Sequence, residues 1–225
     1  LYSSAASDVY KRQVHGCYQP LQRLLGVLPK NDHVVFCGDV INRGPDTAST
    51  MQLVWSLVTA GRATWLRGNH EQALLQSLSD PALNSANPWQ PRLQQLPTVF
   101  WGHGWVATHA GFDSNGHPNL TIREPFWEHY DGRHGRVVIG HTPRPDVERH
   151  GRIVMVDTGA VYGGKLSAYC PETEAVVHIR RGELEQAQEA SRSAALLAPD
   201  SVYNLWQLSR IDRLLFEQQN ETGEE

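Results

Sequence analysis

A carboxylate, an amide and an arginine stand close together in Cys37-Gly38-Asp39-Val40-Ile41-Asn42-Arg43-Gly44-Pro45. This stretch follows the apolar run His33-Val34-Val35-Phe36 and precedes a helix-like segment from Asp46 to Ala60. Asp39 therefore falls at the carboxyl end of an expected strand, where open α/β sheets collect their ligands. A carboxylate placed there can hold a metal ion. Arg43 can grip a phosphate with its planar fork of donors. Taken alone, the pattern also fits an ordinary turn, because Asp and Gly make turns. Four further pieces add weight: His15-Gly16, Arg67-Gly68-Asn69-His70-Glu71, Thr108-His109-Ala110-Gly111 and Gly140-His141-Thr142. Each of the last three comes just after an apolar, β-rich run.

These residues need a scaffold, and 225 residues are enough for one domain with a well-buried core. A formal net charge of −4 gives no sign of a non-specific nucleic-acid binder. No apolar run approaches the roughly 20 residues that span a bilayer. Three cysteines, Cys17, Cys37 and Cys170, lie far apart and read as a reduced, cytoplasmic set. Of eleven histidines, four fall in the motifs; His33, His103, His117, His129, His134, His150 and His178 match none.

The periodicity predicts an amphipathic helix over Cys17–Leu28 and strands at His33–Cys37 and Ala63–Leu66. A helix capped by Asp46 and closed by Gly61 lies between those strands. A helix over Glu71–Leu78, a proline-rich loop region over Ser79–Pro97 and a strand at Trp105–Thr108 follow. Gly111–Leu120 reads as a polar loop and Val137–Ile139 as a strand. Ile153–Val156, Lys165–Tyr169 and Ala175–Ile179 read as successive antiparallel strands of a second sheet. Helices are expected over Glu183–Leu197 and Ser201–Gln218. Trp89 and Trp101 are expected to be buried rather than to face a substrate.

The ordered motifs from His15 to about Ala168 closely resemble the calcineurin-like metallophosphoesterases of the phosphoprotein-phosphatase type. Within that group they look most like small bacterial serine/threonine phosphatases and symmetrical diadenosine-tetraphosphate hydrolases. The resemblance implies an α/β fold in which two mixed β-sheets pack as a sandwich flanked by helices. With no internal repeat and no linker, 14–218 reads as one domain, and the polar 219–225 as a disordered tail. The resemblance also implies two divalent metal ions, manganese first, with iron or zinc as alternatives. Asp39 would bridge both ions, His15 would bind the first, and Asn69, His109 and His141 would bind the second. His70 would be the general acid, oriented from the position of Asn42, where the family often has an aspartate. Arg43 would bind phosphate, and Arg123, in the family-like segment Arg123-Glu124-Pro125-Phe126, is the candidate second phosphate arginine, with Arg133 and Arg136 as rivals. Glu71 has an adequate account as an acidic residue in the first turn of a helix. Asp157 reads as either support for the ligands or a turn former.

The implied reaction is direct attack on phosphorus by a metal-bridging hydroxide. The favoured substrates are phosphoserine/phosphothreonine proteins or small phosphomonoesters. Gly68-Asn69-His70-Glu71 leans toward the protein-phosphatase side. The alternatives are symmetrical hydrolysis of diadenosine tetraphosphate and a degenerate, non-catalytic phosphate-binding module. The last rests on Gln13 and Asn42, because the family pattern Gly-Asp-x-His-Gly here reads Arg12-Gln13-Val14-His15-Gly16. Residues 1–13 are polar and read as an adapter-like, non-native leader. With Gln13 in place of a ligand aspartate, only Asp39 offsets two dications, so the first metal is expected to bind more weakly than the second. Manganese-supplemented hydrolysis of p-nitrophenyl phosphate should rise at least about tenfold in Gln13→Asp, a gain of roughly 1.4 kcal/mol of barrier. Equal rates in the two proteins would overturn this.

Overall fold

The computed structural model describes residues 9–12, 14–78 and 87–180. Gln13, the expected helices beyond Glu183 and the tail lie outside the described residues. The first sheet contains β1 (Val9–Arg12), β2 (His33–Phe36), β3 (Ala63–Trp65), β11 (Leu166–Tyr169) and β12 (Val176–Ile179), in the order β12-β11-β1-β2-β3. The second contains β4 (Val99–Trp101), β5 (Trp105–Thr108), β8 (Arg136–Ile139), β9 (Glu148–His150) and β10 (Ile153–Met155), in the order β4-β5-β8-β10-β9. A hairpin of β6 (Gly111–Phe112) and β7 (Pro118–Asn119) stands apart. Strands β1, β2 and β3 are mutually parallel, as are β5, β8 and β10. The outer strands β11, β12, β4 and β9 pair antiparallel.

Alternation along the strands builds the sandwich. Val35, Trp105, Ala107, Val138, Val154 and Tyr169 point between the sheets and form one core. Their chain neighbours point outward. Val34, Phe36, Ala63 and Trp65 pack under α1 (Tyr18–Val27) and α2 (Thr47–Thr59), through Leu21, Leu24, Met51 and Val54. Val106, Val137, Ile139, Ile153 and Met155 pack with Phe112 and Phe126, the latter on α5 (Glu124–His129). Both central sheets are therefore covered on both faces, which is why their strands read as continuous apolar runs. Asp46 caps α2 by accepting the Ser49 backbone N–H at 3.0 Å. Helix α3 (Asn69–Leu78) starts two residues earlier than its apolar pattern indicates, and a short α4 (Gln90–Gln94) follows within the proline-rich region.

Residues 9–12 form a strand hydrogen-bonded between β11 and β2. Two expectations need correction. The three late strands do not share a sheet: β10 lies parallel to β8, whereas β11 and β12 extend the first sheet. Local alternation marks a strand but carries no information about its partner. The segment read as a polar loop contains β6 and β7, and β4 and β9 carry too few apolar residues to stand out.

The tryptophans also divide. Trp89 is partly buried against Trp55 and Trp65. Trp101 is 61% exposed on edge strand β4, with its ring against His134. Ile139 is fully buried in the core directly before Gly140-His141. Ile139→Ala should lower unfolding free energy by about 2–5 kcal/mol in urea titrations. Val176→Ala, at a 45% exposed edge position, should stay within about 0.5 kcal/mol.

Candidate active site

Parallel strands deliver the chemistry to one end of the sandwich. His15 follows β1, Asp39 follows β2, Asn69 and His70 follow β3, His109 follows β5 and His141 follows β8. His15, Asp39, Asn42, Arg43 and His141 all have positive φ, between 47° and 65°. Side chains larger than glycine seldom take this conformation, so the tertiary structure must hold them there. The loops lock together through backbone bonds: His15 N–H donates to Asp39 O and Gly16 N–H to Val40 O, both at 2.8 Å. Gly44 permits this approach, since a Cβ there would lie 2.0 Å from the His15 carbonyl.

His109 Nε2 is the focus. It lies 3.0 Å from Asn69 Oδ1, 3.1 Å from His141 Nδ1 and 3.4 Å from Asp39 Oδ2. Its Nδ1 is 2.6 Å from the Cys37 carbonyl. A carbonyl can only accept, so Nδ1 keeps its proton and Nε2 presents a lone pair. Three electron-rich atoms at 3.0–3.4 Å from His109 Nε2 have the spacing of neighbouring ligands around one ion with bonds of about 2.1 Å. The donor set fits a divalent metal. On the other side of Asp39 Oδ2, His15 Nε2 lies at 3.8 Å and His70 Nε2 at 4.0 Å, a second cluster able to hold an ion. His15 Nδ1 faces the Ile41 carbonyl at 3.4 Å, which again leaves Nε2 toward the site.

Burial sets the protonation. It lowers His15 and His141 to about 4 and His109 to about 3, helped by neighbouring positive groups. All three are neutral at pH 7. Burial, with the Glu71 carboxylate beside it, pushes Asp39 up to about 8. Glu71 is fully buried and also shifted up by burial. Its Oε2 accepts the N–H groups of Asp39 and Gly68 at 2.8 Å, and its Oε1 accepts those of Val40 at 2.8 Å and Ile41 at 3.4 Å. Four donors favour the charged form of Glu71, so the shared proton resides on Asp39. The helix-start account of Glu71 was therefore incomplete; it ties the Asp39 loop to the Asn69-His70 loop. Its signal was an acidic residue one position beyond the motif histidine, but only the fold supplies the four amides.

The rim carries the remaining residues. Asn42 and Arg43 are exposed, and His70 is partly so. The Asn42 amide nitrogen is 3.2 Å from His70 Nδ1, and Arg43 Nε donates to His70 Nε2 at 3.3 Å. An amide can serve either imidazole tautomer by turning over. Burial and then Arg43 lower the His70 pKa. Arg43 Nη1 also donates to the Tyr162 hydroxyl, and the Arg43 guanidinium carbon lies 5.7 Å from the ring centre. Tyr162, absent from the expected set, comes from the 3-10 turn after β10. Arg123 Nη1 reaches Thr142 Oγ1 at 3.2 Å beside His141. Its rivals are engaged elsewhere: Arg133 with Asp131, and Arg136 with Glu174 and the Pro171 carbonyl. Asp157 is buried after β10, with Oδ1 accepting the Gly159 N–H at 3.0 Å.

The sequence profile of the calcineurin-like phosphoesterases matches residues 6–179. The chain is 28% identical over 227 residues to the asymmetrical bis(5'-nucleosyl)-tetraphosphatase PrpE of Oceanobacillus iheyensis, covering 72% of this chain and 88% of that protein. It is 27% identical over 194 residues to serine/threonine-protein phosphatase 1 of Salmonella typhimurium, covering 68% and 87%. It spans about half or less of the length of the symmetrical bis(5'-nucleosyl)-tetraphosphatases it also matches. The crystal structure of a metallophosphoesterase from Sphaerobacter thermophilus shares the fold, with TM-score 0.52 and 19% identity over 91% of this chain and 98% of that one.

Two outcomes follow from the site. Glu71→Gln turns an acceptor into a donor facing buried amides, and should cost about 3 kcal/mol or more of stability in urea unfolding. Metal binding must displace the Asp39 proton, while the histidines have none to lose above pH 5. Metal affinity should therefore rise about tenfold per pH unit up to about pH 8 and then level off. Calorimetry in buffers of different ionisation enthalpy should count about one proton released per chain at pH 7.

Proposed function

The chain belongs to the calcineurin-like phosphoesterases, metal-dependent phosphoric ester hydrolases, and from that premise we propose that it dephosphorylates phosphoserine/phosphothreonine or small phosphomonoesters. The observation that carries this reading is the convergence of Asn69 Oδ1, His141 Nδ1 and Asp39 Oδ2 on His109 Nε2, with Arg43 and His70 on the rim. The family implies a dinuclear divalent centre. His15 would hold one ion, and Asn69, His109 and His141 the other, with Asp39 shared between them. Manganese suits this mix of imidazole, carboxylate and carbonyl donors, with iron or zinc as alternatives. When bound, such ions supply positive charge to the phosphoryl oxygens and acidify water.

The protein's own groups do the rest. Arg43 grips two phosphoryl oxygens through its planar fork, steadied by Tyr162. Arg123 adds a second cationic contact from the His141 side. With Arg43 turned from His70 Nε2 to the phosphate, protonated His70 would deliver a proton from Nε2 to the departing oxygen, with Asn42 fixing the ring through Nδ1. Asn42 carries no charge, so it stabilises the imidazolium less than a carboxylate would. The exposure of Asn42 and Arg43 leaves the rim open to a phosphorylated side chain on a protein surface. Three cysteines buried as free thiols suit a reducing cytoplasm.

The second reading, hydrolysis of bis(5'-nucleosyl) tetraphosphates, is favoured by the names of the relatives. Parallel assays of a phosphothreonine peptide and diadenosine tetraphosphate with manganese separate the two. The peptide is expected to turn over faster; preference for the tetraphosphate would overturn the first reading, and its products (two ADP, or ATP and AMP) would define the cut. Arg43→Ala should lower kcat/KM on the peptide by on the order of a hundredfold or more. Metal binding without turnover of either substrate would favour the non-catalytic module.

A further inference from the structure

At the end of the sandwich remote from Asp39, a cavity of about 540 Å3 is lined by His103, Trp105, Arg136, Arg149, Arg152 and Glu172 among others. Trp105 and Arg136 begin β5 and β8, and the same strands end at the candidate centre with His109 and His141. Four residues of strand, about 13 Å at ~3.3 Å per residue, separate the two places. This cavity is not part of the catalytic end.

Its arginines are arranged unevenly with respect to their partners. Arg136 Nη2 and Arg149 Nη2 both donate to Glu174 Oε1 at 2.7 Å, and Arg136 Nη1 also donates to the Pro171 carbonyl at 2.7 Å. One carboxylate thus holds two guanidinium groups together. Arg149 also reaches the Tyr169 hydroxyl, again through Nη2 at 3.4 Å, so its Nε and Nη1 make no hydrogen bond among the described residues. The Arg152 guanidinium makes no hydrogen bond or ion pair among the described residues. The Glu172 carboxylate is occupied by the Trp105 indole N–H at 2.7 Å and the Cys170 thiol at 3.3 Å. Three guanidinium groups that line one cavity therefore share two committed carboxylates, and Arg149 and Arg152 keep donors that no described residue claims. Like charges held this close favour an anion between them.

We infer that this cavity is a second binding site, separate from the catalytic centre, for a small anion carrying two or more phosphate groups. Planar donors from Arg149 and Arg152 match phosphate oxygens, and the volume suits anything from a diphosphate to a nucleoside polyphosphate. Nothing in this inference depends on the catalytic reading.

The test is calorimetric titration of the full, metal-loaded chain with imidodiphosphate and with β,γ-imido-ATP, in excess magnesium. Two classes of site are expected. Arg43→Ala should weaken one class only. Arg152→Glu should weaken the other at least about tenfold while p-nitrophenyl phosphate hydrolysis stays at the wild-type rate. Arg152→Gln, which removes the charge without reversing it, should shift binding in the same direction. Tighter binding of the nucleotide analogue would assign the site to nucleotides, and equal binding to the diphosphate group itself. Wild-type isotherms in both Arg152 variants, or a single class of site lost in Arg43→Ala, would overturn the proposal.

Discussion

The candidate centre depends on one buried carboxylate. Glu71 accepts backbone N–H groups from Asp39, Val40 and Ile41 on the loop after β2, and from Gly68 on the loop after β3. Without an acceptor those buried amides would each be costly, so the two loops are stable only in this mutual arrangement. The arrangement places Asp39 Oδ1 to accept the His70 N–H at 3.0 Å while Oδ2 faces three histidines. One anion thus fixes the loops, and the geometry of the Asp39 carboxyl group follows from it.

The same coupling explains the electrostatics. Two carboxylates this close in a buried place disfavour a double negative charge, and Glu71 has the stronger claim to ionise because four amides solvate it. Asp39 is left with the proton until a stronger cation takes its place. The lowered pKa values of His15, His109 and His141 act in concert, since neutral imidazoles compete with no metal for the carboxylate. The site is prepared for positive charge by being short of it.

Backbone strain is concentrated at this end. Five non-glycine residues in the left-handed region, each costing on the order of 1 kcal/mol or more, are held by strands whose own faces are fully covered. The rigidity comes from the three stacked cores, in which neighbouring residues such as Val137, Val138 and Ile139 serve opposite sides of one sheet. Loops after such strands inherit fixed exits. At the opposite end of the same strands Glu174, which holds Arg136 and Arg149 beside the cavity, also lies in the left-handed region, at φ 61°.

By itself, the sequence determined the motif residues, their position after strands and the family they resemble, because each motif is local and its order along the chain is preserved. It also determined most helices and the apolar strands, through periodicity and caps such as Asp46. Tertiary structure decided which strands share a sheet, since alternation looks the same whichever partner a strand finds, and so β10 and β11 part company unannounced. It decided that Arg123, not Arg133 or Arg136, stands beside His141, because 19 residues of loop, helix and strand separate Arg123 from its partner Thr142. It decided the role of Glu71, whose four hydrogen-bond partners include three about 30 residues away, and it brought Tyr162 onto Arg43 across 119 residues of chain. Chemistry was legible where it depends on residue type; position was not, because long-range contacts are made by the whole fold and leave no mark on the neighbours of a single residue.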